Sequence, residues 1–275
     1  MENAIKITKP ESYIVSLMGK IPILSYYSHS RGWSFLISWG HRLSGLTLVF
    51  YMFAHLYTLS LLFQPEKFDA DMQFLNNFLF TFLEWCVAIP VIFHALNGGR
   101  LILYEMFHVR AEEMIIRLMV IIGIIYIAMV GFFFIEEGRQ ISAIVFWSIT
   151  SIISLVAFCI VLFKLWSTGN SLMWKLQRIT GGFMFLMLIG HMLFMHMNYL
   201  AGHDSKTILL RMQSPFIKGV DFIFILFLLF HAGYGMFSIA TDYLRPGPVL
   251  KSLTFLIIVV MLVSAFFGIR LVTAL

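Results

Sequence analysis

Four histidines stand inside otherwise apolar stretches: His55, His94, His191 and His231. A buried imidazole is costly in such surroundings unless its nitrogens are engaged by a metal or a hydrogen-bond partner. The spacing of the four carries more than any one of them. His41-Arg42-Leu43-Ser44-Gly45 is followed ten residues later by His55, and Gln177-Arg178-Ile179-Thr180-Gly181 is followed ten residues later by His191. His94 precedes Gly98 and Glu105, and His231 precedes Gly235 and Asp242, at the same offsets of four and eleven. On a helix these offsets turn through about 400° and 1100°, so each trio shares one face and its carboxylate lies about 16 Å along the axis. The glycine one turn from each histidine removes bulk where a flat macrocycle would lie. The chain contains an internal repeat, and the histidines are its matched positions.

The elements that must position them are transmembrane helices. Hydrophobic residues make up 60% of the 275 and charged residues 12%, outside the range of a soluble domain. Seven stretches are long enough to cross about 30 Å of hydrocarbon, at roughly 34–63, 76–104, 114–135, 141–165, 174–199, 217–240 and 249–273. The expected fold class is an all-α integral membrane bundle of seven helices, with the repeat around two haems. An N-terminal cytoplasmic or interfacial segment, 1–33, precedes one transmembrane haem-binding domain, 34–275. This domain divides into a first half at 34–136, an adaptor helix at 141–165 and a second half at 174–275. The adaptor restores chain direction, so helices one and five run parallel. His55 and His191 then lie about 20 Å beyond Arg42 and Arg178, at one depth, while His94 and His231 share another. Two pairs at two levels suit two stacked bis-histidine haems. A closed zinc site needs four ligands close together, which pairs separated in depth do not offer. Any single histidine could instead serve only a neighbouring helix as a hydrogen-bond partner.

With the N-terminus inside, the inner segments hold most of the 19 Lys and Arg. The first outer connection, Gln64 to Asn77, carries Glu66, Asp69 and Asp71 against Lys67. The net charge of +5 thus reflects topology and gives no reason to invoke nucleic acid. Residues 1–33 carry Lys6, Lys9, Lys20 and Arg31 without a long apolar core, so no signal peptide is expected there. Ile14, Leu17, Met18 and Ile21 recur at helical spacing, as in an interfacial helix or a docking tail. Cys86 and Cys159 lie within spans, and no Cys-x-x-Cys-His or Gly-rich dinucleotide motif occurs. Covalent c-type haem attachment and iron–sulfur ligation are therefore not expected here, and flavin and iron–sulfur chemistry would belong to other chains. His29, His108 and His203 read as solvated connections, and His196 as an interfacial side chain on another face.

Two motifs resemble a known family, the membrane anchors of succinate dehydrogenase and fumarate reductase. Ser38-Trp39-Gly40-His41-Arg42-Leu43-Ser44-Gly45 is similar to a Ser-x-x-His-Arg-x-Ser-Gly motif of the larger anchor subunit. His94-Ala95-Leu96-Asn97-Gly98-Gly99-Arg100 is similar to its haem-ligand motif. His231-Ala232, Gly235 and Asp242-Tyr243 resemble the smaller anchor's haem histidine and quinone-site pair, so the chain looks like a fusion of the two anchors. The added His55 and His191 make it similar to dihaem, single-chain anchors. Those have five helices, and the pair near 114–165 departs from that pattern.

The resemblance implies two non-covalent b haems, with His55 and His191 as axial ligands of the outer one and His94 and His231 of the inner. It implies a flavoprotein and an iron–sulfur subunit on the cytoplasmic face of the inner membrane, with quinone as the electron-exchanging substrate in the lipid. The chain itself would perform no dicarboxylate chemistry. Ser38, Arg42, Asp242 and Tyr243 are nominated for an inner quinone site, and Glu84 and Glu66 for an outer one. His41, Arg42, Arg100 and Arg178 are placed to neutralise haem propionates, and an arginine at such a depth also simply snorkels. An anchor of another quinone-linked oxidoreductase, of the hydrogenase or formate dehydrogenase kind, is the alternative. A transporter fits less well, because Pro90 is the only proline inside a span.

Overall fold

The computed structural model describes residues 33–109, 112–135 and 142–275. The N-terminal helix expected around residues 14–21, together with His29, Arg31 and Arg110, lies outside the described residues. The chain divides into a unit ending at Ser44 and a unit from Gly45 to Leu275. Of the first unit, residues 33–44 form the opening turns of α1 (Trp33–Ser60), where the Ser44 hydroxyl donates to the His41 carbonyl. Ser38 and Arg42 are four residues apart there and share a helix face.

The second unit contains the rest of α1, a 3₁₀ turn and nine further helices among the described residues. These are α2 (Pro65–Leu75), α3 (Phe78–Phe107), α4 (Glu112–Ile135), α5 (Ala143–Trp166), α6 (Leu172–Met197), α7 (Tyr199–His203), α8 (Ser205–Arg211), α9 (Pro215–Tyr243) and α10 (Pro248–Ala274). Seven helices, α1, α3, α4, α5, α6, α9 and α10, are long and apolar enough to cross a membrane, and no strand occurs among the described residues. Their ends follow local chemistry. Pro65, Pro215 and Pro248 open α2, α9 and α10, where a missing N–H costs nothing. The Asn77 side chain accepts from the Leu79 and Phe80 amides to start α3, and His108 closes it in the left-handed region at φ 52°.

The centre of this unit is α6. Half of its most apolar stretch is buried, against 17–28% for the other six spans. It packs against α3, α4, α5 and α9. Gly182 and Gly190 bring α5 close: a Cβ on either would fall 2.8 Å from Val161 Cγ2 or 2.9 Å from Thr150 Cγ2. The Tyr126 hydroxyl of α4 donates to the Ile189 carbonyl, and Trp85 Nε1 of α3 donates to the Ile127 carbonyl of α4. The periphery is the opposite of a soluble surface, with Phe78 86%, Phe163 76% and Phe50 72% exposed. Lipid, not water, satisfies such a rim.

The connections at 64–77 and 198–214 hold short helices, because each buries an apolar side. Phe68 and Met72 of α2 and Ile208 of α8 join Trp147, Met187 and Phe194 in one core cluster. Asp69 locks the two connections together: its carboxylate accepts from the Ser205 amide at 2.9 Å and hydroxyl at 2.8 Å, at the N-terminus of α8. Asp69→Ala is expected to cost on the order of 2 kcal/mol locally. Hydrogen exchange in residues 205–211 should accelerate about thirtyfold while the spans keep their protection.

Candidate haem centre

The four repeat-matched histidines meet in two couples. The rings of His55 and His191 lie 6.1 Å apart between centroids at an interplanar angle of 81°. Those of His94 and His231 lie 6.2 Å apart at 88°. One metal atom bonded to both imidazoles at about 2.0 Å, with about 1.1 Å from nitrogen to ring centre, sets the centroids about 6 Å apart. Direct packing of two flat rings would not need that regularity at two levels. Thr180 of α6 touches His231 and precedes His191 by eleven residues, so the levels are about 16 Å apart along the helix. Among the described residues no cluster of three or more His, Cys, Asp or Glu can hold a metal ion. Each couple offers two imidazoles, a donor set that would suit a haem iron, whose other four ligands come with the macrocycle.

The helix sequence builds these couples in the same way in both halves. A Cβ on Gly45 would stand 2.9 Å from the Cε1 atom of His94, and one on Gly181 would stand 3.2 Å from the Cε1 atom of His231. The glycine of each Arg-x-hydroxyl-Gly motif thus seats the imidazole of the next helix in its own half, a contact the spacing alone did not reveal. The Thr180 hydroxyl donates to the Leu176 carbonyl at 2.8 Å, leaving its oxygen to accept from His231 Nδ1 at 3.4 Å. That contact favours Nδ1 as the protonated nitrogen, the tautomer in which Nε2 has a lone pair to offer a metal. Gln177 donates to the His231 carbonyl at 3.2 Å, and its Oε1 is buried without a partner among the described residues. Asn97, one turn from His94, is 1% exposed; its Oδ1 accepts from Arg100 Nε at 3.0 Å and its Nδ2 has no partner among the described residues. Orphaned polar atoms beside the His94–His231 couple fit a site built to face a further polar group.

Around the other couple the walls are aromatic. Tyr51 stacks on His55 at 5.8 Å and 11°, Phe224 lies 5.4 Å from His191, and Trp147 lies 5.9 Å from it. Trp147 is 2% exposed and comes from α5, the helix expected to be a topological adaptor. That helix also walls the site. His191 Nδ1 is buried with no hydrogen-bond partner among the described residues.

The other nominated residues are distributed along the chain. Glu84 of α3 lies 4.0 Å from His196 Nε2 and 3.9 Å from His203 Nε2. His196 is 8% exposed, so the expectation of an interfacial side chain fails: α2, α7 and α8 cover that end of α6. Glu66 stands exposed in the first turn of α2. Asp242 and Tyr243 end α9 at an exposed rim. Arg178 is held bidentately by Glu105 at 2.8 and 2.9 Å and lies 4.1 Å over the Trp174 ring.

The seating glycines make a discriminating test. Gly45→Ala should push the His94 ring aside and weaken cofactor retention at that couple on the order of tenfold, within the 1–3 kcal/mol that overpacking costs. Gly219→Ala, near the start of α9 and well away from the histidines in sequence, whose Cβ would meet nothing within 4 Å, should retain it. Cofactor content per purified chain, with circular dichroism as the fold control, separates the two.

The model of a family described as the succinate dehydrogenase/fumarate reductase transmembrane subunit matches residues 22–132 and 163–269. The first stretch contains His55 and His94, the second His191 and His231. The chain is also 32% identical over 89 residues to the succinate dehydrogenase 2 membrane subunit SdhC of Mycobacterium tuberculosis, a match covering 32% of this chain and 63% of that relative's length. No solved structure matches. The family match covers well over half of the chain, and this multi-pass membrane protein belongs to the succinate dehydrogenase/fumarate reductase transmembrane subunit family, as a membrane subunit and not the catalytic one.

Proposed function

We propose that the chain anchors a succinate:quinone oxidoreductase and holds two b haems, one between His55 and His191 and one between His94 and His231. The observation that carries this is the pair of centroid distances, 6.1 and 6.2 Å, at positions related by the repeat. Each bound haem would supply a one-electron iron couple whose potential its axial ligands and burial set. The chain's own residues do the positioning. Thr180 holds the tautomer of His231, Gly45 and Gly181 admit the His94 and His231 rings, and Trp147, Phe224 and Tyr51 keep water from the second couple.

In this reading residues 34–275 act as one membrane domain resembling two fused anchors, in the cytoplasmic membrane with the N-terminus inside. A flavoprotein and an iron–sulfur subunit dock on the inner face, near the His94–His231 couple, and electrons pass between them and membrane quinone. Ser38, Arg42, Asp242 and Tyr243 are proposed for the inner quinone site on resemblance. His41, Arg42 and Arg100 are proposed to meet propionates, whereas Arg178 has both of its bonded nitrogens on Glu105. At the outer end Glu84, set between His196 and His203, is a better proton-handling group than the solvated Glu66. The likeness to a succinate dehydrogenase membrane subunit favours this complex over a hydrogenase or formate dehydrogenase anchor.

A reduced-minus-oxidised optical spectrum of the purified complex tests the proposal. Two b-type components are expected. His55→Ala and His191→Ala should each remove the same one, and His94→Ala and His231→Ala the other. A spectrum with no haem, or one unchanged by all four substitutions, would refute it.

A further inference from the structure

At the end of the second unit that carries Arg178 there is a cleft of about 300 Å³ lined by Tyr104, Glu105, His108, Asn170 and Trp174. Tyr104 and Glu105 come from the last turn of α3, and Trp174 from the first turn of α6. Arg178 joins two of the lining residues, bonded to Glu105 and stacked on the Trp174 indole. The ion pair leaves this wall without net charge, and the Glu105 carboxylate opposes an anionic guest. What remains is a flat indole, a phenol, a carboxamide and an imidazole, beside an apolar rim where Leu103 and Phe107 are 42% and 41% exposed. Such a lining suits a flat, uncharged, carbonyl-bearing molecule that arrives through lipid.

The repeat sharpens this. The offset that maps Arg42 onto Arg178 also maps Ser38 onto Trp174, and the offset that maps His94 onto His231 maps Glu105 onto Asp242. Three of the positions proposed for the inner quinone site therefore recur, exchanged between halves, at this cleft. Tyr243 has no such counterpart, since its matched position is Met106, but Tyr104 flanks the carboxylate on the other side.

We infer that this cleft is a second quinone-head-group site, the repeat's counterpart of the inner one. The inference rests on the reading that the chain serves a quinone. Tyr104 and Asn170 donate to the carbonyl oxygens, the Trp174 ring stacks on the head group, and the Arg178–Glu105 pair sets the wall's geometry.

The test is photolabelling of the complete membrane complex with an azido-benzoquinone bearing a ten-carbon tail, followed by peptide mapping. Label is expected on residues 103–108 or 170–174, displaced by excess unlabelled decyl-benzoquinone. Trp174→Ala should lower it about tenfold, and Tyr104→Phe severalfold, with the haem spectrum unchanged as the check on folding. Displaceable label confined to other positions, such as 38–42 or 242–243, overturns the second site and leaves the quinone reading standing. Label in the cleft that excess quinone does not displace, or that neither variant lowers, also overturns it. Absence of displaceable label anywhere on the complex overturns both readings.

Discussion

An imidazole inside hydrocarbon is costly, and in this chain four of them are set in couples with a gap of about 6 Å between ring centres. That gap constrains everything around it. Edge-to-face rings pack at such distances in any core, so contact alone does not fix the orientation of the couples. The rings must instead be steered from behind. Thr180 does so by hydrogen bonding and Gly45 and Gly181 by the bulk they omit. Aromatic faces do so for the other couple, with Trp147 and Phe224 on His191 and Tyr51 on His55.

The burial of α6 follows from the same requirement. It reaches both levels, since Thr180 and Gly181 serve His231 and His191 belongs to the other couple, as Gly45 and His55 do on α1. Neighbours on several sides hold it fixed, among them α5 through Gly182 and Gly190 and α4 through Tyr126. The helix pair α4 and α5 is therefore more than a change of direction. One of the two delivers Trp147 to His191, and the other clamps α6 at Ile189, two residues from the ligand.

Much of this was legible in the residues. Seven apolar runs become seven helices with ends shifted by a few positions, because hydrocarbon length is a strong constraint and proline and asparagine mark the ends. The ring couples were legible because a repeat carries long-range information that a single helix does not: equal offsets imply equal depth. Contacts between elements unrelated by the repeat were hidden. Nothing near Asp69 announces that Ser205 is its partner, and nothing near Glu84 announces His196 and His203. Those pairings depend on how α2, α7 and α8 fold over one end of α6, in connections that polarity alone reads as solvated loop. The ion pair of Arg178 with Glu105 was hidden for a related reason. Both residues were seen in the repeat, but their union crosses between its halves.

The ring planes offer the most direct test of the central claim. With interplanar angles of 81° and 88°, the imidazoles would stand close to perpendicular on a shared iron at both sites. Low-temperature electron paramagnetic resonance of the oxidised protein reads that arrangement. The expected result is two low-spin ferric signals of the strongly anisotropic kind that crossed imidazole planes give. A high-spin iron at either site, or the absence of any bis-imidazole ferric signal, would contradict the account.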